Sequence, residues 1–151
     1  MHDLLKALTA LQRVDAELDE LVRTSREFPN RLAELEAKLG AARQSTEDNR
    51  QKLIDLETQK RTLEEQLAAD KDKIKKWEAR LAEQRSAREY TALAREIDIA
   101  KKQNETTAEE IVELSKEIQE AREQLEAAEA AFAELESGVV EDRNRIEKAL
   151  F

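Results

Sequence analysis

The chain has 151 residues, 40% of them charged and 3% aromatic, with two glycines, one proline and no cysteine. Glu, Ala, Leu, Lys, Arg and Gln dominate, a profile of long exposed helices rather than of a globular enzyme, and the lack of cysteine excludes disulfides and thiolate metal sites within the chain. The net charge is −9. No run approaches the roughly 20 apolar residues of a membrane span, and Met1-His2-Asp3 does not open a signal peptide, so a cytoplasmic protein without membrane contact is expected.

The first predicted element runs from about residue 3 to residue 84. Apolar residues recur there at alternating steps of three and four, giving a seam through Leu4, Ala7, Leu11, Val14, Leu18, Leu21, Ser25, Phe28, Leu32, Leu35, Leu39, Ala42, Thr46, Asn49, Leu53, Leu56, Lys60, Leu63, Leu67, Asp70, Ile74, Trp77, Leu81 and Gln84. The 3.5-residue period is that of a left-handed coiled coil. Phe28-Pro29-Asn30 predicts a kink, because Pro29 lacks an amide donor and its ring crowds the preceding turn. Gly40 is a milder weak point.

A reversal is expected near Arg85–Glu89. Ser86-x-x-Glu89 has the form of a capping box, in which the Ser hydroxyl accepts from the amide three residues on. The second helix then covers about 87–149, with its seam at Tyr90, Leu93, Ile97, Ala100, Asn104, Thr107, Ile111, Leu114, Ile118, Ala121, Leu125, Ala128, Phe132, Leu135, Val139, Asp142, Ile146 and Ala149. Ser137-Gly138 is its weak point. The fold expected is all-α: one elongated domain over 1–151, a long antiparallel two-helix coiled-coil hairpin. The alternative is a single continuous helix pairing in a parallel dimer.

A hairpin turning about Ala87 predicts that residues level with one another have numbers adding to 174. Leu81 is then level with Leu93, Trp77 with Ile97, and Asp70 with Asn104 in one polar layer. A shift of one heptad separates Asp70 from Asn104 and needs a longer loop. A buried polar layer of this kind fixes register at some cost in stability. On the flanks this alignment expects Arg80 near Glu96, but also the like pairs Lys71 with Lys101 and Arg50 with Arg122. Phe151 is level with Arg23, so residues 1–22 have no partner in the chain. Their apolar row, Leu4, Leu8, Leu11, Leu18 and Val22, is a candidate interface. Another copy in a homodimer, a different protein or a C-terminal continuation could cover it, and the uncapped end at Phe151 favours the last.

Charge is polarised along the second half. Residues 71–102 hold ten basic against six acidic side chains, whereas 105–136 hold eleven Glu against Lys116 and Arg122. A solvated coiled-coil surface accounts for this, and a basic contact surface at the tip is the functional reading. Its residues are Arg80, Arg85, Arg88, Tyr90 and Arg95. No catalytic constellation is present: His2 is the sole histidine, there is no Gly-rich phosphate loop, and Glu pairs such as Glu109 and Glu113 lie on an open helix face. The protein is therefore expected not to be an enzyme and to hold no cofactor in this chain.

The stretch Arg80-Leu81-Ala82-Glu83-Gln84-Arg85-Ser86-Ala87-Arg88-Glu89-Tyr90-Thr91-Ala92-Leu93-Ala94-Arg95-Glu96-Ile97 resembles a bacterial family that joins an N-terminal coiled-coil hairpin to a C-terminal four-cysteine zinc ribbon. Leu11-Gln12-Arg13-Val14-Asp15 and the Phe28-Pro29 break resemble that family's opening. The resemblance implies a cytoplasmic adaptor connected with flagellar or type III secretion, with an alternative sigma factor, or with nucleic acid. The zinc ribbon is absent from this chain, so zinc would belong to a C-terminal continuation. Two functional readings stay open. One is a protein-binding scaffold using the tip and the N-terminal row; the other is a nucleic-acid-binding arm using the basic tip.

Overall fold

The computed structural model describes residues 1–150, with side chains to Lys148. The expectations for the side chains of Ala149 and Phe151 therefore lie outside the described residues. Two helices make up the fold: α1, His2–Ala82, and α2, Ala87–Leu150. Together they form an all-α helical hairpin, and the continuous-helix alternative is overturned by the turn at residues 83–86.

The connection begins earlier than expected: α1 ends at Ala82 rather than near residue 84, while α2 starts at Ala87 as expected. The Glu83 amide donates to Arg80 O at 3.1 Å and the Gln84 amide to Leu81 O at 3.3 Å, tightening the end of α1. The Glu89 amide then donates to Ser86 Oγ at 3.1 Å, and Tyr90 N to Ser86 O at 3.0 Å. The Ser86 side of the capping box is thus formed, and it satisfies a donor that a helix start leaves orphaned.

Contacts divide the chain into two compact units, Glu47–Ala127 and Met1–Thr46 with the chain from Ala128 onward. In the first, every seam residue from Asn49 to Gln84 and from Leu93 to Leu125 is buried or half-buried. Ile74, Ile97, Leu114, Ile118 and Ala121 are its most buried apolar side chains. Lys60 occupies a seam position by laying its stem along the core and sending its Nζ out to Glu64 at 3.7 Å. Asp70 and Asn104 are both half-buried. Trp77 is half-buried too, with Lys73 Nζ 4.9 Å from its ring centre.

In the second unit the seam is covered from Phe28 to Thr46 and from Ala128 to Ile146. Val139 is 3% exposed and Thr46 is the one buried polar residue among those described. The Thr46 hydroxyl donates to Ala42 O at 2.9 Å, one turn back, and lies 3.3 Å from Ala128 O on the other helix. Thr46 and Ala128 add to 174, the expected alignment. Arg43 stacks on Phe132, 5.6 Å from the ring centre. Pro29 lies inside α1, and helical structure also runs unbroken through Gly40 and Gly138, so none of the expected weak points ends a helix.

The flank expectation is corrected. Lys101 and Lys71 do line one furrow, but the Lys101 Nζ turns to Glu78, 2.7 Å away. Arg122 does not face Arg50; it meets Glu57 at 3.3 Å, while Arg50 bonds Glu47 at 2.6 Å within α1. Arg143 meets Glu36 at 2.7 Å. The three cross-helix pairs each add to 179, five more than the seam residues. The reason is side-chain direction. In an α-helix the Cα–Cβ bond leans toward the N-terminus, so on antiparallel helices long side chains converge only when their Cα atoms are offset away from each other's level. Residues adding to 172, such as Lys71 and Lys101, lean apart. The Glu78 carboxylate, by hydrogen bond and charge, holds the Lys101 ammonium above its ordinary pKa.

Two expectations test this packing by chemical denaturation followed through helical circular dichroism. Ile118→Ala should cost about 2–4 kcal/mol, as truncation of a buried aliphatic side chain does. At both Gly40 and Gly138 an added Cβ meets nothing within 4 Å and the backbone φ is negative. Gly40→Ala and Gly138→Ala should therefore each stabilise by up to about 1 kcal/mol.

Candidate functional site

The hairpin tip brings the sequence-predicted basic residues around one turn. Arg80 lies in the last turn of α1, Arg85 lies in the connection, and Arg88 and Arg95 lie in the first turns of α2. All four are exposed. Among the described residues none of them has an ion-pair partner within 4 Å, in contrast to Lys101, Arg122 and Arg143 farther down the hairpin. Among the described residues Arg80 and Glu96 form no ion pair within 4 Å. Side-chain bonds fix the turn between these guanidiniums: Gln84 Nε2 donates to Arg80 O at 3.1 Å, and Ser86 caps α2. Each retains its full set of planar donors for a carboxylate or phosphate.

Tyr90 does not enter the seam. It is 49% exposed, because the residue level with it, Gln84, already lies beyond the end of α1. No helix stands opposite Tyr90, and its ring is left on the tip surface. Sequence periodicity placed it in the core because the pattern itself carries no mark of where the partner helix stops.

The N-terminal row is as predicted in its exposure. Every residue from Met1 to Arg23 is exposed, with Leu4, Leu11, Leu18 and Leu21 at 53–69% and Leu8 and Val22 at 52% and 48%. Leu5, at 61% exposed, joins them and was not singled out from the sequence. The seam slips slightly where coverage begins: Ser25 is exposed and Thr24 half-buried. Their hydroxyls donate back to Val22 O and Glu20 O at 2.9 and 2.7 Å, in the turn before Pro29.

The depressions on the surface are open furrows. One, lined by Lys71, Ile74, Lys75, Lys101, Asn104 and Ala108, follows the helix flank where Ala108 stands short. Another, lined by His2, Leu5, Lys6, Thr9, Arg13 and Val14, lies along α1 alone. The residues present do not fit the four-cysteine zinc site of the family that the sequence resembles. The chain has no cysteine, and no group of three or more His, Cys, Asp or Glu gathers as a metal site among the described residues. Among the described residues no helix is long and apolar enough to cross a membrane.

No family model matches the chain, and no curated protein matches it. A solved structure does: CT398 from Chlamydia trachomatis, determined at 2.12 Å, is similar with a TM-score of 0.78 and 25% sequence identity. The alignment takes in 99% of this chain and 65% of CT398. The likeness therefore extends over both helices, and the chain spans about two thirds of the length of that protein.

Loss of the cap should loosen the tip. Ser86→Ala should cost about 1 kcal/mol and raise amide exchange at Glu89, whose N–H loses its acceptor, above its rate in the unsubstituted chain, read by hydrogen–deuterium exchange; unchanged protection would mean that the turn is held by other means.

Proposed function

We propose that this chain is a non-enzymatic, cytoplasmic, protein-binding scaffold, an adaptor that presents its basic hairpin tip, Arg80 to Arg95, to a partner and carries a second interface on Leu4–Val22. The observation that carries this reading is the gathering of four exposed guanidiniums around one capped turn. Arg122, Arg143 and Lys101 are engaged across the hairpin, while Arg80, Arg85, Arg88 and Arg95 are exposed and unengaged around a turn fixed by a cap. Arg and Tyr are the residues most enriched where protein interfaces concentrate their binding energy. The resemblance at residues 80–97 points the same way. It suggests a bacterial partner from the flagellar or type III secretion apparatus or from transcription regulation, and a zinc ribbon as a companion domain beyond this chain.

A nucleic-acid-binding arm is the second reading, favoured by the same unpaired guanidiniums. Against it stands the poverty of stacking groups: Tyr90 is the sole Tyr and lies at the tip, and the Trp is half-buried in the seam. Single strands are ordinarily held by several aromatic platforms. The long acidic stretch of α2 would also repel a duplex running along it.

One comparison separates the readings. The tagged chain, an Arg85→Glu/Arg88→Glu/Arg95→Glu variant and a Leu11→Asp/Leu18→Asp variant are used to capture partners before and after nuclease treatment. The scaffold reading expects a protein that survives nuclease and is lost from the tip variant. The nucleic-acid reading expects capture that disappears with nuclease and falls steeply with salt, at a log–log slope of about −0.7 to −0.9 per phosphate contact. Recovery of the chain alone from all three would overturn both.

A further inference from the structure

We propose that residues 4–22 pair with the same residues of a second copy of this chain, in an antiparallel coiled coil. This rests on reading Leu4–Val22 as an interface and specifies what occupies it. The row is the direct continuation of the seam that closes on α2 from Phe28 onward, in the same heptad phase, yet every side chain of it is exposed.

The pairing rule seen inside the hairpin says what fits. Seam residues level with one another share a constant sum, 174 at Thr46 and Ala128. Facing flank residues share that sum plus five, 179 at Glu36 with Arg143, Glu57 with Arg122 and Glu78 with Lys101. Two antiparallel copies of the N-terminal segment satisfy the seam rule with a sum of 25. Leu4 is then level with Leu21 of the second copy, Ala7 with Leu18, and Leu11 with Val14. The flank is thereby fixed at 30 with no freedom left. It joins Leu8 to Val22 of the second copy, the two apolar residues that follow the seam on that flank. On the covered part of the hairpin this flank carries ion pairs; here the same positions carry an apolar pair.

Other alignments do worse. A sum of 32 sets Val22 against Asp15 and Leu8 against Pro29, and a sum of 18 sets Leu8 against Asp15. A parallel pair sets Leu8 and Val22 beside Asp3 and Glu17 of the other strand, since flanks of parallel helices meet across positions e and g. In the favoured alignment the one like-charged contact is Asp15 with its own mate on the two-fold axis, and Leu5 stays outside. The contact is isologous, so it closes at two copies. With three heptads a side it is short, and a reversible dimer of micromolar affinity is expected.

The chain contains no cysteine, so single introduced cysteines report the geometry in the full chain. Mixing Leu4→Cys with Leu21→Cys under mild oxidation should give a disulfide between the two different variants. Leu4→Cys alone should give almost none, because the two copies of residue 4 lie about 25 Å apart at 1.5 Å per residue. In sedimentation of the cysteine-free chain, Asp15→Asn should tighten self-association two- to fivefold. Leu11→Asp should abolish it while the circular dichroism of the hairpin is kept. Linkage within Leu4→Cys alone would mean a parallel pair and overturn the proposal. A chain that stays monomeric and unlinked at tens of micromolar would also overturn it, and would leave the row to another protein or to a further segment of the same polypeptide. The scaffold reading is judged separately at the tip. Monomeric chain whose tip still captures a partner sinks this inference alone, and a dimer whose tip captures nothing sinks the scaffold reading alone.

Discussion

The structure depends on one constraint, the reversal of the chain between Ala82 and Ala87. A long helix with a narrow apolar seam is marginal in water, because most helical stability in proteins comes from packing an amphipathic face rather than from propensity. The turn supplies the packing partner from the same molecule, at high effective concentration and in one alignment. Once the helices are tied by so short a connection, the level of every later layer follows. Thr46 reaching Ala128 at 3.3 Å, 82 residues away in sequence, is the outcome of that one geometric decision.

Much of this was legible from periodicity. From Phe28 to Gln84 and from Leu93 to Ile146, each residue assigned to the seam is buried or half-buried. The pattern was readable because the requirement is repetitive: a residue facing the partner every 3.5 positions leaves a signature that does not depend on knowing the partner. The polar members, Lys60, Asp70 and Asn104, were also placed correctly, although an apolar rule alone would have rejected them. What periodicity could not show is where coverage stops. Tyr90 keeps the beat but has no helix opposite it. The turn also came a residue or two earlier than the pattern suggested, since the seam position at Gln84 lies in the connection rather than in α1.

The flanks were misread for a different reason. Level alignment of Cα atoms holds in the core where Thr46 meets Ala128. Flanking side chains are long and lean toward their own N-termini, so on antiparallel helices the true partners are displaced. A search for opposite charges at a constant offset would have found Glu36 with Arg143, Glu57 with Arg122 and Glu78 with Lys101, spaced by three heptads on each helix. The candidate site divides along the same line. Exposure of Leu4–Val22 followed from counting residues against the length of the second helix, whereas the freedom of the tip arginines required knowing which other cations were already engaged.

The offset charges also act on chains that close incorrectly. Pairing one heptad out of step would leave the apolar seam nearly as well filled, because the repeat is so regular. It would, however, set Arg50 against Arg122 and Lys71 against Lys101. Exposed pairs of this kind add little to the native state, yet the same side chains turn from attraction to repulsion in the nearest competing alignment. Their worth lies in the gap between right and wrong closure, so a repetitive sequence otherwise free to slide is given a single place to stop.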